Sequence, residues 1–185
     1  MPSLVRVARL TLCQDLHAGP ATAPGKLVRV TTPDEPRWLT PEEQQTWRAL
    51  TSLLVRLPAA LDAQLRRDAG ITHFDYQVLS QLSEQPGRSL RMRELASLVD
   101  SSLQRLSQVV TRLEAKGWVL RRPDPSDGRT THAALTEAGF AKVVETAPGH
   151  AAEVLDLAID PLDPAQQRAL REIAERIVGT IEETR

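Results

Sequence analysis

The stretch from Ser102 to Thr136 decides the fold: SLQRLSQVVTRLEAKGWVLRRPDPSDGRTTHAALT. Its first half has apolar residues at steps of three and four, with serine before them and Gly117 after them, which predicts a helix. The runs "WVLRR" (Trp118–Arg122) and "RTTHAAL" (Arg129–Leu135) are too short for helices and favour strands. The Pro/Asp/Gly-rich loop between them predicts that the two strands pair as a hairpin.

A shorter helix is predicted immediately upstream of this stretch. The run "MRELASLV" places Met92, Leu95, Leu98 and Val99 on one inward face, and "DSS" then breaks and restarts the chain. Two short helices joined by a tight polar turn and followed by a hairpin form a winged helix-turn-helix. In that motif the second helix enters the major groove of DNA, and the hairpin is the wing.

The second helix is polar on the side opposite its apolar stripe. Glutamine can pair with adenine, arginine with guanine, and serine with a base or a phosphate, so this face predicts DNA contacts. An ordinary solvated helix surface is the alternative, and the hairpin that follows favours the DNA-binding interpretation. The predicted DNA-binding residues of this face are Ser102, Leu103, Gln104, Arg105, Ser107, Gln108 and Arg112.

The tip of the predicted wing carries an acid and an arginine, Asp127 and Arg129, around a glycine. The minor groove is narrow and strongly negative, so an arginine on a thin hairpin fits it. We expect the Asp127 carboxylate to orient the Arg129 guanidinium by paired hydrogen bonds. The alternative is a local surface ion pair that contributes less than about 1 kcal/mol to stability.

The charge distribution also points to a polyanionic partner. The segment Arg88–His132 carries nine basic and five acidic side chains, although the whole chain has a formal net charge of −1. A basic segment in an otherwise acidic chain is typical of nucleic-acid binding, and chance clustering is the alternative. Arg91 and Arg93 belong to this segment and are further candidates for DNA contact.

The residues before this lobe predict a long amphipathic helix. Thr40 and Glu43 have the spacing of a capping box, and Gly70 ends the helix. Pro58 lies inside it and should bend it. The apolar stripe of this helix consists of Trp47, Leu50, Leu54, Leu57, Leu61 and Leu65.

Capping signals mark the starts of the remaining helices. Thr72 with Asp75 begins the helix that precedes "MRELASLV", and Thr136 begins one after the wing. Pro148-Gly149 is predicted either to kink or to split the latter helix. Asp163 begins a last amphipathic helix. The apolar residues of this last helix are Leu170, Ile173, Ile177 and Ile181.

Residues 1–38 are predicted to be a separate N-terminal extension. Five of the thirteen prolines lie in residues 1–36, and the β-like pieces Leu4–Val7 and Lys26–Val30 flank a turn-rich segment. This composition favours a flexible arm or a weak hairpin. The single cysteine, Cys13, lies in this extension and has no partner for an internal disulfide.

Several functional classes find no support in the sequence. No apolar run approaches the length of a membrane span, and arginines interrupt the N-terminal apolar residues, so neither a membrane protein nor a signal peptide is expected. We therefore expect a cytoplasmic protein. The four histidines lack ligand spacing, and no catalytic or phosphate-binding motif is present. The sequence predicts a non-enzyme without a metal or a cofactor.

The wing and its upstream helix resemble a known family. "DGRTTHAALT" fits the D-x-R-x-x-x-x-x-L-T wing signature of the multiple-antibiotic-resistance (MarR) type regulators, and "RELASLV", "VVTRLEAKGWVLRR" and the helix order fit as well. The likeness covers roughly residues 39–180. It implies a mainly α winged helix-turn-helix fold of about six helices plus a two- to three-stranded β-wing, with an all-helical dimerisation region. The DNA-binding lobe would span about residues 72–135, and the dimerisation helices about 40–69 and 136–182.

The resemblance also implies partners. Members of this family are obligate homodimers, and two wings would straddle a pseudo-palindromic site on double-stranded DNA. They are usually repressors that release DNA when a small, often aromatic or phenolic, molecule binds. The candidate effector-binding residues are Trp47, Arg66, His73 and Tyr76, and for Trp47 and Tyr76 plain core packing is the favoured alternative.

A second functional class stays open at this point. A winged-helix protein can act as a protein–protein adaptor without binding DNA. The basic segment, Arg129 and the Gln/Arg face favour a DNA-binding regulator, whereas the negative net charge mildly favours the adaptor.

Overall fold

The computed structural model describes residues 36–124 and 130–184. The wing-tip residues Asp127 and Arg129, the β-like pieces in residues 1–35 and Cys13 lie outside the described residues. Thr40–Arg185 form a unit of their own, which contains every helix and strand described below.

The described part of this unit is predominantly helical. The helices are α1 (Pro41–Ala69), α2 (His73–Ser83), α3 (Met92–Leu98), α4 (Leu103–Ala115), α5 (Glu137–Val154) and α6 (Pro164–Glu183). The strands are β1 (Ser89–Arg91), β2 (Val119–Pro123) and β3 (Thr131–Leu135). This order confirms the predicted fold class of six helices with a small β-wing.

The helix starts follow the predicted capping chemistry. Reciprocal capping boxes are present at Thr40, Thr72 and Asp163. In each, the side chain of the capping residue accepts from the backbone N–H of the third helical residue, whose own side chain accepts from the backbone N–H of the capping residue. Ser102 caps α4, and its side chain accepts from the Arg105 N–H. Such caps satisfy N–H groups that would otherwise have no intrahelical partner, and they fix where each helix begins.

Neither internal proline ends its helix. Helix α1 runs unbroken through Pro58, and α5 runs unbroken through Pro148, so the alternative that Pro148-Gly149 splits α5 is wrong. Helix α5 packs against both α1 and α2, and this tertiary packing offsets the backbone hydrogen bond that proline removes. A π-helical turn, Leu155–Ile159, follows α5 directly.

The three strands form one antiparallel sheet in the order β1-β3-β2. In its register, His132 of β3 lies opposite Arg91 on one side and Arg122 on the other. Strand β1 immediately precedes α3, so the sheet joins the start of the helix-turn-helix to the wing.

The main core lies between α2, α3, α4 and the sheet. Leu79, Leu82, Leu95, Leu106 and Leu113 are fully buried there, as the helical spacing predicts for the last three. The prediction that Leu98 points inward is wrong, because it is 50% exposed. Leu98 is the last residue of α3, and it lines a surface cleft rather than the core.

The apolar stripe of α1 has two different environments. Leu61 and Leu65 are buried against the rest of the unit, but Trp47 and Leu54 are 55% and 62% exposed. Core packing of Trp47, the favoured alternative from the sequence, is therefore wrong for the single chain. Ile173 on α6 is likewise 56% exposed. Both helices thus present apolar faces that the rest of residues 36–124 and 130–184 does not cover.

Candidate nucleic-acid interface

Helix α4 presents a polar face outside the core. Its inner residues Leu106, Val109, Val110 and Leu113 are buried. The opposite side chains, which include Gln104, Arg105 and Gln108, are exposed. Burial of the apolar stripe therefore fixes the rotation of α4 about its axis and leaves these polar groups available to a partner. Leu103, at the first turn, is 43% exposed beside them.

Two arginines on α4 have intramolecular contacts that the sequence did not predict. The Arg105 guanidinium lies 4.4 Å from the centre of the Phe74 ring. Arg112 Nη2 lies 2.5 Å from Asp75 Oδ1, and the two side chains are 48% and 3% exposed. Asp75 is also the third residue of α2, and its carboxylate completes the capping box by accepting from the Thr72 N–H. Arg112 therefore ties α4 to the start of α2, and its predicted DNA contact stays a prediction.

Arg121 on β2 holds the outer side of α4, and sequence reasoning missed it. Its Nη1 pairs with the Glu114 carboxylate, and its backbone N–H donates to the same carboxylate at 2.9 Å. Its Nη2 donates to the Ser107 carbonyl at 2.8 Å, and to the hydroxyls of Ser107 and Thr111 at 3.1 Å each. These contacts lock the first wing strand to the middle of α4. No sequence pattern predicts these contacts of Arg121, because they depend on how β2 lies against α4.

Asp124 follows β2 directly and lies at the loop end of the wing strands. Its carboxylate, 5% exposed, accepts from Arg91 Nε at 3.0 Å and lies 3.0 Å from His132 Nε2. Its backbone N–H donates to the Thr130 carbonyl at 2.8 Å. Because Arg91 and His132 come from β1 and β3, Asp124 joins all three strands at the loop end of the wing. Arg91, predicted to contact DNA, is thus held by an ion pair within the wing.

A groove separates α4 from the wing strands, and we call it the helix–wing groove. Its volume is about 700 Å³. Arg93, exposed at the start of α3, borders it, whereas Asp127 and Arg129 belong to the part of the wing that the structure does not describe. The lining residues are Arg91, Met92, Arg93, Glu94, Leu103, Ser107, Arg121, Thr130 and Thr131.

A second, smaller cleft of about 250 Å³ brings together two of the predicted effector-binding residues. His73 and Tyr76 line it, and so do His150 on α5 and Leu98, which the sequence did not suggest for this role. The Tyr76 and His150 rings meet edge to face with centres 4.6 Å apart, and the His73 and His150 rings are 5.7 Å apart. Helix α5 thus meets the DNA-binding lobe at this cleft.

The other two predicted effector-binding residues do not line this cleft. The Arg66 Nε lies 2.5 Å from Asp62 Oδ2 within α1, and this contact lowers the Asp62 pKa. Trp47 lies near the opposite end of α1, and 1.5 Å per residue puts it about 28 Å from Arg66 along the helix. Helical periodicity places residues on one face but does not bring the two ends of a long helix together.

Burial lowers the pKa of both histidines that line the cleft. Desolvation lowers the pKa of both His73 and His150, and for His150 the neighbouring His73 lowers it further. The buried Gln64 amide donates to Asp68 at 2.9 Å, so its Oε1 is left to accept from His150 Nδ1, 3.4 Å away. This contact favours the tautomer of neutral His150 that carries its proton on Nδ1, which leaves Nε2 as the acceptor nitrogen.

Two kinds of feature are absent from the described residues. In residues 36–124 and 130–184, no cluster of three or more His, Cys, Asp or Glu side chains could hold a metal ion. Within the same ranges, no helix has the length and apolar character needed to span a membrane.

Comparison with known proteins gives a consistent result. A family model described as the MarR family matches residues 69–130. The chain is 45% identical to Sco3205, a MarR family transcriptional regulator from Streptomyces coelicolor whose crystal structure was solved in complex with DNA; the match covers 77% of this chain and 90% of that one, with a TM-score of 0.76. It is 38% identical to AbsC, a MarR family regulator from the same organism, over 78% and 99% of the two chains, with a TM-score of 0.72.

A curated relative matches over a shorter region. The transcriptional repressor MprA of Escherichia coli (strain K12) is 32% identical over 79 residues, which are 43% of this chain and 45% of MprA. The match therefore spans less than half the length of that relative. The match covers 90% or more of each of the two Streptomyces structures. The fold and the family model point to the same family as these two structures. This chain belongs to the MarR family of transcriptional regulators.

Proposed function

We propose that this chain is a sequence-specific DNA-binding transcriptional regulator, and that it acts as a homodimeric repressor which a small-molecule effector releases from DNA. The observation that carries the proposal is the exposed polar face of α4 beside the wing strands. Gln104, Arg105 and Gln108 are exposed on this face, and they have the hydrogen-bonding groups that read base edges in the major groove. The 45% identical relative Sco3205, crystallised with DNA, supports the same conclusion.

In the proposed complex, α4 lies in the major groove and the wing reaches the adjacent minor groove. Arg129 then probes the minor groove, and Asp127 orients it. The hydrogen bonds of Arg121 hold β2 against α4, and the ion pair of Asp124 with Arg91 holds the wing strands against β1. A rigid spacing between helix and wing lets both contact one duplex at once, which favours affinity because little ordering is left for the binding step.

The exposed apolar faces of α1 and α6 support a homodimer. Trp47, Leu54 and Ile173 are each more than half exposed, and apolar faces of this kind mark protein–protein contacts. A twofold dimer would present two copies of α4, so its site on double-stranded DNA would be pseudo-palindromic. This DNA partner would place the protein in the cytoplasm, with a binding function rather than a catalytic one.

The cleft lined by His73, Tyr76 and His150 is the proposed effector site. It lies where α5, a dimerisation helix, meets α2 of the DNA-binding lobe, so a ligand there can change the position of one relative to the other. Its aromatic and imidazole rings suit a small aromatic or phenolic molecule. Its volume of about 250 Å³ is below that of pockets for drug-sized ligands, which favours a single-ring compound.

DNA titration tests this proposal. The purified protein is mixed with labelled duplexes selected from a randomised pool, and affinity is measured at several salt concentrations. A repressor loses affinity steeply as salt rises, because its basic groups displace counterions from phosphates. Failure to select any sequence, or affinity that does not respond to salt, would instead support the adaptor.

Two substitutions sharpen this experiment. Arg129→Ala should weaken binding most at sites with A·T-rich flanks, by roughly 1–3 kcal/mol, whereas Arg168→Gln on α6 removes one positive charge outside the lobe and serves as the control. Gln108→Ala should change which base is preferred at one position of each half-site. Equal loss on every sequence would contradict the base-reading role of Gln108.

A further inference from the structure

The hydrogen-bond polarity of two hydroxyls at the helix–wing groove is fixed by Arg121. A guanidinium only donates, so the Ser107 and Thr111 hydroxyl oxygens both accept from Arg121 Nη2, at 3.1 Å each. Thr111 gives its own hydroxyl hydrogen to the Ser107 carbonyl at 3.0 Å. The Ser107 hydroxyl hydrogen has no acceptor among residues 36–124 and 130–184. Ser107 therefore enters the groove as a donor, whereas the Thr111 hydroxyl is already used.

The arginines of this groove differ in what they are paired with. Arg91 is held by Asp124, and Arg121 is held by Glu114. Arg93 is exposed, and within the described part of the chain it has no carboxylate partner at ion-pair distance. Glu94, also exposed, is the neighbouring acid that opposes it. The positive charge open to a ligand in this groove therefore comes from Arg93.

The position of the groove suggests its occupant. Leu103 and Ser107 of α4 line one side of the groove, and Arg121, Thr130 and Thr131 of the wing line another. The end of β1 and the start of α3, which include Arg93, line the rest. If α4 occupies the major groove and the wing the adjacent minor groove, the sugar–phosphate strand that separates these two DNA grooves must pass between them. A phosphodiester offers only acceptors and a negative charge, which match a hydroxyl donor and an unpaired guanidinium.

We propose that the helix–wing groove is a seat for the DNA backbone, in which the Ser107 hydroxyl donates to a phosphate oxygen and Arg93 supplies the charge. Arg121 is a positioning residue, because it acts through Ser107 and its own charge is taken by Glu114. This inference rests on the proposed DNA-binding function. It assigns Ser107 to the backbone and not to a base, a choice that the sequence left open.

Variants of the full-length protein test the two roles on the selected duplex. Ser107→Ala should lower affinity about tenfold without changing the salt dependence, because a hydroxyl releases no counterion. Ser107→Thr, which keeps the donor, should restore most of that affinity, and Thr111→Val should stay within about twofold of the unsubstituted protein. Arg93→Gln should reduce the slope of log affinity against log salt by about 0.9 for each phosphate that Arg93 neutralises, whereas Arg168→Gln should leave it unchanged.

A backbone-modified duplex identifies the contacted group. Replacing one phosphate at a time by a neutral methylphosphonate should reveal a position where the unsubstituted protein loses clearly more affinity than Ser107→Ala does, because Ser107→Ala retains only the Arg93 contribution there. The selected base sequence should be the same for both proteins. A changed base preference in Ser107→Ala, or equal tolerance of every methylphosphonate, would overturn the backbone seat while leaving the proposed function in place. If the unsubstituted protein selects no duplex, the proposed function itself fails.

Discussion

The ion pair between Arg112 and Asp75 should be a measurable source of stability. Asp75 is 3% exposed, and each of its carboxylate oxygens accepts one bond, from Arg112 Nη2 at 2.5 Å and from the Thr72 N–H at 3.0 Å. Arg112→Gln removes the cation and leaves a buried carboxylate with the Thr72 bond alone. We expect the free energy of unfolding to fall by about 2 kcal/mol.

This magnitude follows from how exposed each partner is. Removing one partner of a fully buried ion pair costs about 3–5 kcal/mol, because the remaining charge loses its compensation. Arg112 is 48% exposed, so water can partly replace it beside Asp75, and the N-terminal N–H groups of α2 still favour a negative charge there. Both effects reduce the expected loss below the fully buried range.

Urea unfolding followed by circular dichroism gives the measurement, at one fixed protein concentration because a dimer unfolds with a concentration-dependent midpoint. Arg105→Gln is the matched control, because it removes the same charge from the same helix. Arg105 lies over the Phe74 ring rather than beside a buried carboxylate, so this change should lower the free energy of unfolding by no more than about 1 kcal/mol. The double variant Asp75→Asn/Arg112→Gln should be less destabilised than the sum of the single changes.

Two results would refute this reasoning. One is an Arg112→Gln protein as stable as Arg105→Gln, which would mean that solvent fully replaces the guanidinium. The other is strict additivity in the double variant, which would mean that Asp75 and Arg112 do not interact across α2 and α4.

Three further predictions concern packing, pH and assembly. Gly139→Ala should destabilise the fold by several kcal/mol, since a Cβ would lie 2.1 Å from the Trp118 carbonyl oxygen, and a melting temperature within two or three degrees of the unsubstituted protein would contradict this. Burial lowers the pKa of His73 and His150, so the folded state binds protons less readily than the unfolded chain. The stability that comes from these neutral histidines should be fully present above about pH 6.5 and should fall as the pH drops below that value. His150→Gln should therefore reduce the change in melting temperature between about pH 7.5 and 5.5. The pKa values of Asp62 and Asp68 are also lowered, but these groups do not add to the change in that pH range. Their contribution to the stability of the fold is lost only as the pH falls below about 3.8. Ile173→Glu should convert the proposed dimer to a 20.4 kDa species in light scattering, and an unchanged mass would remove α6 from the proposed interface.

The sequence alone determined the order of the six helices and of the two strands of the hairpin, and where most of the helices begin, whereas β1 was not predicted from the residues. Capping boxes at Thr40, Thr72 and Asp163 act within four residues, so their chemistry is visible without the fold. The same holds for the apolar stripe of α4, because a period of 3.6 residues depends only on the local helix. The position of the apolar stripe also determines which side of α4 is polar and exposed. The predicted DNA-binding residues on α4 therefore follow from the sequence as well.

Only the tertiary structure decided how the side chains of this face are used. Arg121 and Ser107 are fourteen residues apart, and Arg91 and Asp124 thirty-three apart, so their contacts depend on how the wing folds against α4 and β1. The cleft at His73 and His150 likewise exists only because α5 packs against α2. Periodicity and capping are local properties, whereas ion pairs and clefts form between elements whose relative placement depends on packing of the whole core.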